Sequence, residues 1–306
     1  MKANPVPRVA AIHDLSGFGR TSLTVAIPVL SAMGVQVCPL PTAVLSTHTV
    51  EYTDFTLLDM TDEMERILDH WERLKLRFDA VYSGFMACTA QMDHVARCIR
   101  QCLEKGGLAV VDPVLGDNGV LDQTMTPAMV ERMRWLVSFA DVITPNFTEA
   151  AFLLGEKCRT HIGPHELRSW LRRLSDMGPG RVVITSVPLH PSNEHTAPDN
   201  ARRLSVAAFD REQDRFWRVD APLLPAHYPG TGDAFASVLT GGLLNGDSLP
   251  VAVDRAANFA TLCIQSTFGY DLPSREGVLL ERVLPALRVP YTSSYRLLED
   301  GEDRYV

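Results

Sequence analysis

Short apolar runs alternate with longer amphipathic segments along most of the chain, and the alternation predicts a series of strand–helix units. Residues 8–14, Arg-Val-Ala-Ala-Ile-His-Asp, predict a buried strand ending in a polar turn. Residues 22–34 predict a helix stopped by Gly34. The stretch 35–46 is extended and broken by prolines, which places part of it at a sheet edge. A helix over 61–77, with charged and apolar residues in a 3.6 rhythm, leads to a strand over 78–84. A helix over 90–105, closed by Gly106-Gly107, leads to a strand over 108–112. Helices over 127–139, 147–155 and 164–177 flank strands over 140–146 and 181–186. Residues 188–200, rich in Pro, Asn and His, read as a loop, either a cover over a ligand or a plain connector. Paired strands around the turn Asp210–Asp214 follow, then helices over about 231–245 and 250–267.

Alternation of this kind predicts an α/β fold: a mostly parallel central sheet with helices on both faces, made mixed by the hairpin near 203–220. No linker, low-complexity tract or internal repeat divides the chain. Residues 1–290 therefore read as a single domain and residues 291–306 as a loosely held C-terminal tail.

Composition narrows the function. The chain has 306 residues with 46% apolar and 22% charged positions, ordinary for a globular protein with a substantial core. A net charge of −8 argues against nucleic acid or an anionic membrane as the main partner. It leaves an anionic small molecule open, because local backbone dipoles override net charge. No apolar stretch reaches the length of a membrane span, and the first residues are too polar for a secretory signal. Cys38, Cys88, Cys98, Cys102, Cys158 and Cys263 include no CxxC pair and no zinc-site spacing, so they read as reduced thiols in the cytoplasm.

In such folds ligands bind beyond the carboxyl ends of the strands, and here those ends carry the polar chemistry. The first strand ends in His13-Asp14 and runs on to Ser16. The others end in Ser83-Gly84-Phe85, in Asp112 with Asp117 beyond it, in Asn146 with Glu149 three residues on, and in Thr185-Ser186. Each has an ordinary structural role available. Asp14, Ser16, Asp112 and Asp117 suit turns, and Asn146 with Glu149 suits a capping box. Five strand ends offering polar groups to one rim nevertheless point to a site.

Residues 227–244 sharpen it. Gly230-Thr231-Gly232-Asp233 stands directly before an apolar helical run. Unpaired N–H groups and the positive end of a helix suit a phosphate. An N-cap alone would need neither flanking glycine. Neither a P-loop nor a complete GxGxxG fingerprint is present; Gly17-Phe18-Gly19-Arg20-Thr21-Ser22 lacks the third glycine and reads as a turn. An acid beside an anion pocket suggests phosphoryl transfer to an alcohol, in which a weak base suffices if well placed. Mg²⁺ would find oxygen ligands in Asp112, Asp117 and Glu149, directly or through water.

At these residues the chain resembles the ribokinase-like superfamily and, within it, the pyridoxal (vitamin B6) kinase family. The residues that carry the resemblance are Gly230–Asp233, Asp-Pro-Val-Leu-Gly-Asp at 112–117, Ala-Asp-Val-Ile-Thr-Pro-Asn at 140–146 with Glu149, Val-Val-Ile-Thr-Ser at 182–186 and Ser-Thr-His-Thr at 46–49. The resemblance implies Asp233 as base for the 5′-hydroxymethyl group of a B6 vitamer, with Gly230, Thr231 and Gly232 as anion hole. It implies Asp112, Asp117, Asn146 and Glu149 around Mg²⁺ and ATP, with Thr185 and Ser186 near the phosphates. Phe85 would lie against the pyridine ring and Thr49 would contact its substituents. Their ordinary roles would be a core phenylalanine and a backbone-satisfied strand residue. A homodimer and a monovalent cation such as K⁺ are further implications. One departure stands out: where the family often has Gln-Ser-His, this chain has His13-Asp14-Leu15-Ser16-Gly17, nearer the Asp-Pro-Ser-Gly-Gly of hydroxymethylpyrimidine kinases. That makes Asp14 and Ser16 the substrate-selecting residues and a hydroxymethylpyrimidine kinase the alternative. A non-catalytic B6-binding protein on the same fold is the second alternative.

Overall fold

Polar residues at strand ends become a site only if the strands are parallel and adjacent, so sheet order decides the matter. The computed structural model describes residues 4–189, 203–222, 224, 226–289 and 292–298. The strands are β1 (Arg8–Phe18), β2 (Gln36–Thr47), β3 (Leu57–Asp59), β4 (Phe78–Ser83), β5 (Leu103–Val111), β6 (Gly116–Asp117), β7 (Val120–Leu121), β8 (Val142–Ile143), β9 (Arg181–Val187), β10 (Arg203–Asp210), β11 (Arg215–Pro222) and β12 (Arg296–Leu297). The helices are α1 (Leu23–Ala32), α2 (Thr61–Arg73), α3 (Thr89–Cys102), α4 (Pro127–Val137), α5 (Phe147–Leu154), α6 (Pro164–Asp176), α7 (Thr231–Leu244), α8 (Leu249–Thr267) and α9 (Leu280–Val283). The main sheet runs β12-β11-β10-β9-β8-β5-β4-β1-β2-β3, and β6 and β7 form a separate small hairpin. The block from β9 to β2 is parallel, and β10, β11, β12 and β3 join antiparallel. This is the mixed, mostly parallel α/β sheet expected.

Period-two alternation sorts the side chains between two cores. From β1, Val9 and Ala11 join the core under α1, α7 and α8, whereas Ala10 and Ile12 join the core under α2 to α6. β5 repeats this with Val110 on the first face and Val111 on the second. Strands buried on both faces read as continuous apolar runs, as the central ones do here.

Several boundaries differ from the sequence reading for identifiable reasons. β1 does not stop at Asp14. After a register shift between His13 and Leu15 it keeps pairing with β2 as far as Phe18, through part of what reads as a glycine-rich turn. β2 is continuous through Pro39 and Pro41, because β3 covers only Ala43–Leu45 and the two prolines face a side with no strand to bond. α3 ends at Cys102, and Leu103 already pairs with Phe78 before residues 104–107 bulge out. β8 shrinks to two residues, with Pro145 lacking the N–H that would continue the ladder.

At the far end, the described part of the tail is tied down. β12 pairs with β11, Leu298 is buried, and the Ser294 backbone N–H donates to Asp254 Oδ2 at 2.6 Å. Of the loop read at 188–200, residues 190–200 lie outside the described residues. No described helix is long and apolar enough to cross a membrane.

β1 and β4 are neighbours, yet the connection from β1 runs outward to β2 while the connection from β4 runs the other way to β5. That reversal opens a crevice at their carboxyl ends, the expected place for a ligand in an open α/β sheet.

Candidate active site

The crevice is built by two helix N-termini and three strand ends. α7 begins after Gly230, which has φ +85°, and a Cβ there would sit 2.0 Å from the Arg20 carbonyl oxygen. Gly230 therefore exists for the close approach of the β1–α1 loop. Gly232 differs: a Cβ on it would meet nothing within 4 Å, and the residue is exposed. A side chain there would enter open space at the positive end of α7, where an anion fits. Thr231 turns its hydroxyl back to donate to the Tyr228 carbonyl at 2.8 Å, which closes the turn.

Asp233, half-buried in the first turn of α7, accepts a hydrogen bond from the backbone N–H of Ser22. Ser22 is the N-cap of α1, so two helix N-termini meet at one carboxylate. Burial pushes the Asp233 carboxyl up to about 6, the Ser22 N–H opposes this, and the negative charge of Asp14 adds to it. Asp14, at the register shift within β1, is buried and raised by burial, with the Ser22 and Ser16 hydroxyls holding it partly down. Ser16 Oγ donates to Asp14 Oδ2 at 3.1 Å. Asp112, just beyond β5, is raised to about 8, first by burial and then by the charge of Asp233. Thr144 Oγ1 donates to its Oδ1 at 2.9 Å. Three acids from three distant stretches thus crowd into one crevice.

A second acidic group lies beside Asp112. Asn146 and Glu149 form a complete capping box at the start of α5. Glu149 Oε2 accepts from the Asn146 N–H at 2.7 Å, and Oε1 accepts from the Leu115 N–H at 3.1 Å. Burial raises Glu149 well above the usual carboxylate range, and Asp112 and Asp117 add to the rise. Both Glu149 oxygens are therefore engaged with backbone, and direct metal ligation would require opening the cap. Asp117 is exposed and accepts from the Asn118 N–H at 2.7 Å. Among the described residues no three His, Cys, Asp or Glu side chains gather as a ready-made metal cage. Asp112 fits a divalent cation best. It is buried among like charges, which such an ion would neutralise, and Mg²⁺ commonly takes only one or two carboxylates with phosphate and water for the rest.

The remaining expected residues are placed as follows. Thr185 bridges Asn146 across the end of the parallel sheet, so those two strand ends are joined. Ser186 is exposed with φ +56°, an uncommon backbone for serine that turns the chain at the rim. Thr49 lies on the loop after β2, and its carbonyl accepts from Gln123 Nε2 at 3.0 Å. Phe85 is buried in the core under α2 to α6, with its carbonyl accepting from Thr42 Oγ1 at 3.0 Å.

Ser22 is not singled out by the sequence, and His48 only as part of the Ser-Thr-His-Thr segment. Ser22 acts on Asp233 through its backbone and on Asp14 through its hydroxyl, and along the chain it reads only as part of a turn. His48 closes the rim: Val50 N–H donates to its Nδ1 at 3.2 Å, so the Nε2 contact with the Arg275 carbonyl at 2.6 Å is a donation. Burial lowers the His48 pKa and keeps this neutral tautomer, with Asp14 opposing.

Comparison with known proteins agrees with this arrangement. A family model described as phosphomethylpyrimidine kinase matches residues 26–275. A Bacteroides thetaiotaomicron protein assigned as a phosphomethylpyrimidine kinase is 50% identical, with a TM-score of 0.90 over 97% of this chain and 99% of that one. A second crystal form of it, with pyridoxal, gives a TM-score of 0.88 at 50% identity over 95% and 99%. Pyridoxal kinase from Lactobacillus plantarum is 34% identical, with a TM-score of 0.81 over 92% and 96%. Pyridoxal kinase PdxY of Rubrobacter xylanophilus is 28% identical over 85% of this chain and 87% of its own length. Fold and crevice together define a kinase of the ribokinase-like class. Within that class the chain belongs to the pyridoxal and phosphomethylpyrimidine kinase family.

The two glycines should separate by experiment. Gly232→Ala is expected to keep or slightly raise Tm, since Ala is the better helix residue and has room. It should lower kcat/KM by about tenfold or more by crowding the anion pocket. Gly230→Ala should lower Tm by several degrees because the Arg20 carbonyl must move. Equal Tm losses in both variants would remove the distinction.

Asp112 also makes stability depend on pH. Its folded pKa of about 8 lies above that of an unfolded aspartate, so its contribution is full below about pH 4 and is lost as pH rises through about 8. Unliganded protein should therefore lose Tm from pH 5 to about 8, and Asp112→Asn should flatten that slope and be the more stable form at about pH 8. Thermal unfolding across that range is the measurement.

Proposed function

We propose that this chain transfers the γ-phosphoryl group of ATP to the 5′-hydroxymethyl group of a B6 vitamer. What carries the reading is the single carboxylate of Asp233, held by the Ser22 N–H beside the open backbone of Gly232 at the start of α7. A base and an anion pocket stand side by side, as transfer of phosphate to an alcohol requires. The vitamer rather than the pyrimidine is favoured because a protein 50% identical to this one holds pyridoxal, and because named pyridoxal kinases align with nearly the whole chain.

In this reading the acceptor hydroxyl lies against Asp233. As its oxygen joins phosphorus, its proton passes to the Asp233 carboxylate, and the bond from phosphorus to the β-phosphate oxygen of ATP breaks. With a pKa of about 6, Asp233 is mostly ionised at neutral pH and still basic enough to take the proton. The backbone of Gly230, Thr231 and Gly232 faces the charge that develops on the moving group. Asp14 and Ser16 would orient the ring, with Thr49 and Phe85 completing that side. Asn146, Thr185 and Ser186 would line the nucleotide. Mg²⁺ would neutralise phosphate charge, held by Asp112 directly and by Glu149 and Asp117 through water. A single domain of residues 1–290, homodimerisation, a cytoplasmic location and a K⁺ requirement belong to the same reading.

Asp233→Asn tests it, being nearly isosteric but unable to take a proton. Turnover of pyridoxal should fall by at least about a hundredfold while vitamer binding, read by calorimetry, stays within about threefold. Wild-type kcat/KM for pyridoxal, pyridoxine or pyridoxamine should exceed that for hydroxymethylpyrimidine. Undiminished turnover in the variant removes Asp233 from the chemistry, and a pyrimidine preference overturns the substrate.

A further inference from the structure

Behind the acids, on the face of the sheet covered by α1, α7 and α8, lies a group of polar side chains that the chemistry above does not use. Tyr82 of β4, Ser237 of α7 and His13 of β1 are all fully buried. The Tyr82 hydroxyl, the Ser237 hydroxyl and both His13 ring nitrogens make no regular hydrogen bond to other protein groups. Tyr82 belongs to the same apolar core as Ala11, Ala80 and Ala234. Leaving such groups buried without full partners costs about 1–3 kcal/mol each, whereas apolar residues of the same shape would cost nothing. Fold stability gives no reason for them.

Their placement gives one. Ser237 is one helical turn beyond Asp233, on the same side of α7. The Ser237 hydroxyl is close enough to Tyr82 to favour its ionised form, and the charges of Asp112 and Asp233 both reach the phenol. Burial dominates and holds Tyr82 well above its usual range, so it stays a neutral donor. The His13 ring meets Tyr82 edge-on, with centroids 4.3 Å apart. The ring fits only because residue 84 is glycine, where a Cβ would lie 2.3 Å from His13 Nδ1. Burial pushes His13 down to about 3, so it too is neutral. The group is thus two rotatable hydroxyls and an uncharged imidazole, with Ser237 one turn from Asp233 and Tyr82 within electrostatic reach of Asp112 and Asp233.

We propose that Tyr82 and Ser237, braced by His13, are positioning residues for Asp233. Their hydroxyl dipoles form the polar back wall of the catalytic centre. They turn toward the carboxylate while it is charged and away as it gains the acceptor's proton. The proposal rests on the kinase reading above, with Asp233 as base.

Tyr82→Phe and Ser237→Ala test it, each removing one buried hydroxyl without adding bulk. Each should leave Tm unchanged or higher while lowering kcat for pyridoxal by about fivefold or more, with KM for pyridoxal and for ATP within about twofold. The double variant should be little worse than either single one, because the two act as a unit. In an Asp233→Asn background, Tyr82→Phe should have no further effect on the residual rate. Full kcat in both single variants overturns the proposal. So does a kcat loss that persists undiminished in the Asp233→Asn background, or one accompanied by a fall in Tm. A fully active Asp233→Asn variant would instead fail the kinase reading itself, which keeps the two failures apart.

Discussion

The acid of the crevice nearest the anion pocket, Asp233, is held by one contact, from the Ser22 backbone N–H to its carboxylate. It joins the N-termini of α1 and α7, two helices more than two hundred residues apart in the chain. It opposes burial and the charge of Asp14, which both raise the Asp233 pKa. With it, the group stays near the middle of the range where a general base works. The same contact carries the β1–α1 loop against Gly230, where only a residue without a side chain leaves room for the Arg20 carbonyl.

The acids form a graded set. Asp233 rests on a backbone donor, Asp112 on the Thr144 hydroxyl, and Glu149 on two backbone donors, Asn146 in the capping box and Leu115 in the loop after β5. Burial raises all three, and each feels a neighbour's charge. A crevice of this kind is costly while empty and is relieved by cations and by the positive ends of helices. That electrostatic character suits the phosphate and divalent ion of the proposed reaction. Glu149 shows how a structural role and a place in the acidic cluster coincide. The capping box that starts α5 is also what holds this carboxylate beside Asp112, so the ordinary reading and the chemical one describe the same residue.

Much of the frame was legible in the chain. The order of strands and helices, the parallel sheet with an antiparallel hairpin, the glycine turn before α7 and the acids at strand ends all follow from periodicity and turn chemistry. Those signals are local, carried by residues a few positions apart. The misjudged boundaries share a cause. Pairing with β2 extended β1 past Asp14, the open flank of β2 tolerated two prolines, and Pro145 cut β8 short. Each was decided by which neighbour a strand has.

What the sequence determined by itself was therefore the inventory: strand-end acids, a helix whose first turn welcomes an anion, and a chain built to bury a sheet on both sides. What only the tertiary structure decided was proximity. It set Ser22 against Asp233, gave the two glycines different duties, packed Phe85 into the core, and sealed Tyr82, Ser237 and His13 behind the acids. The physical reason is that burial and electric field are sums over neighbours brought from every part of the chain. No local pattern of residue types encodes such a sum.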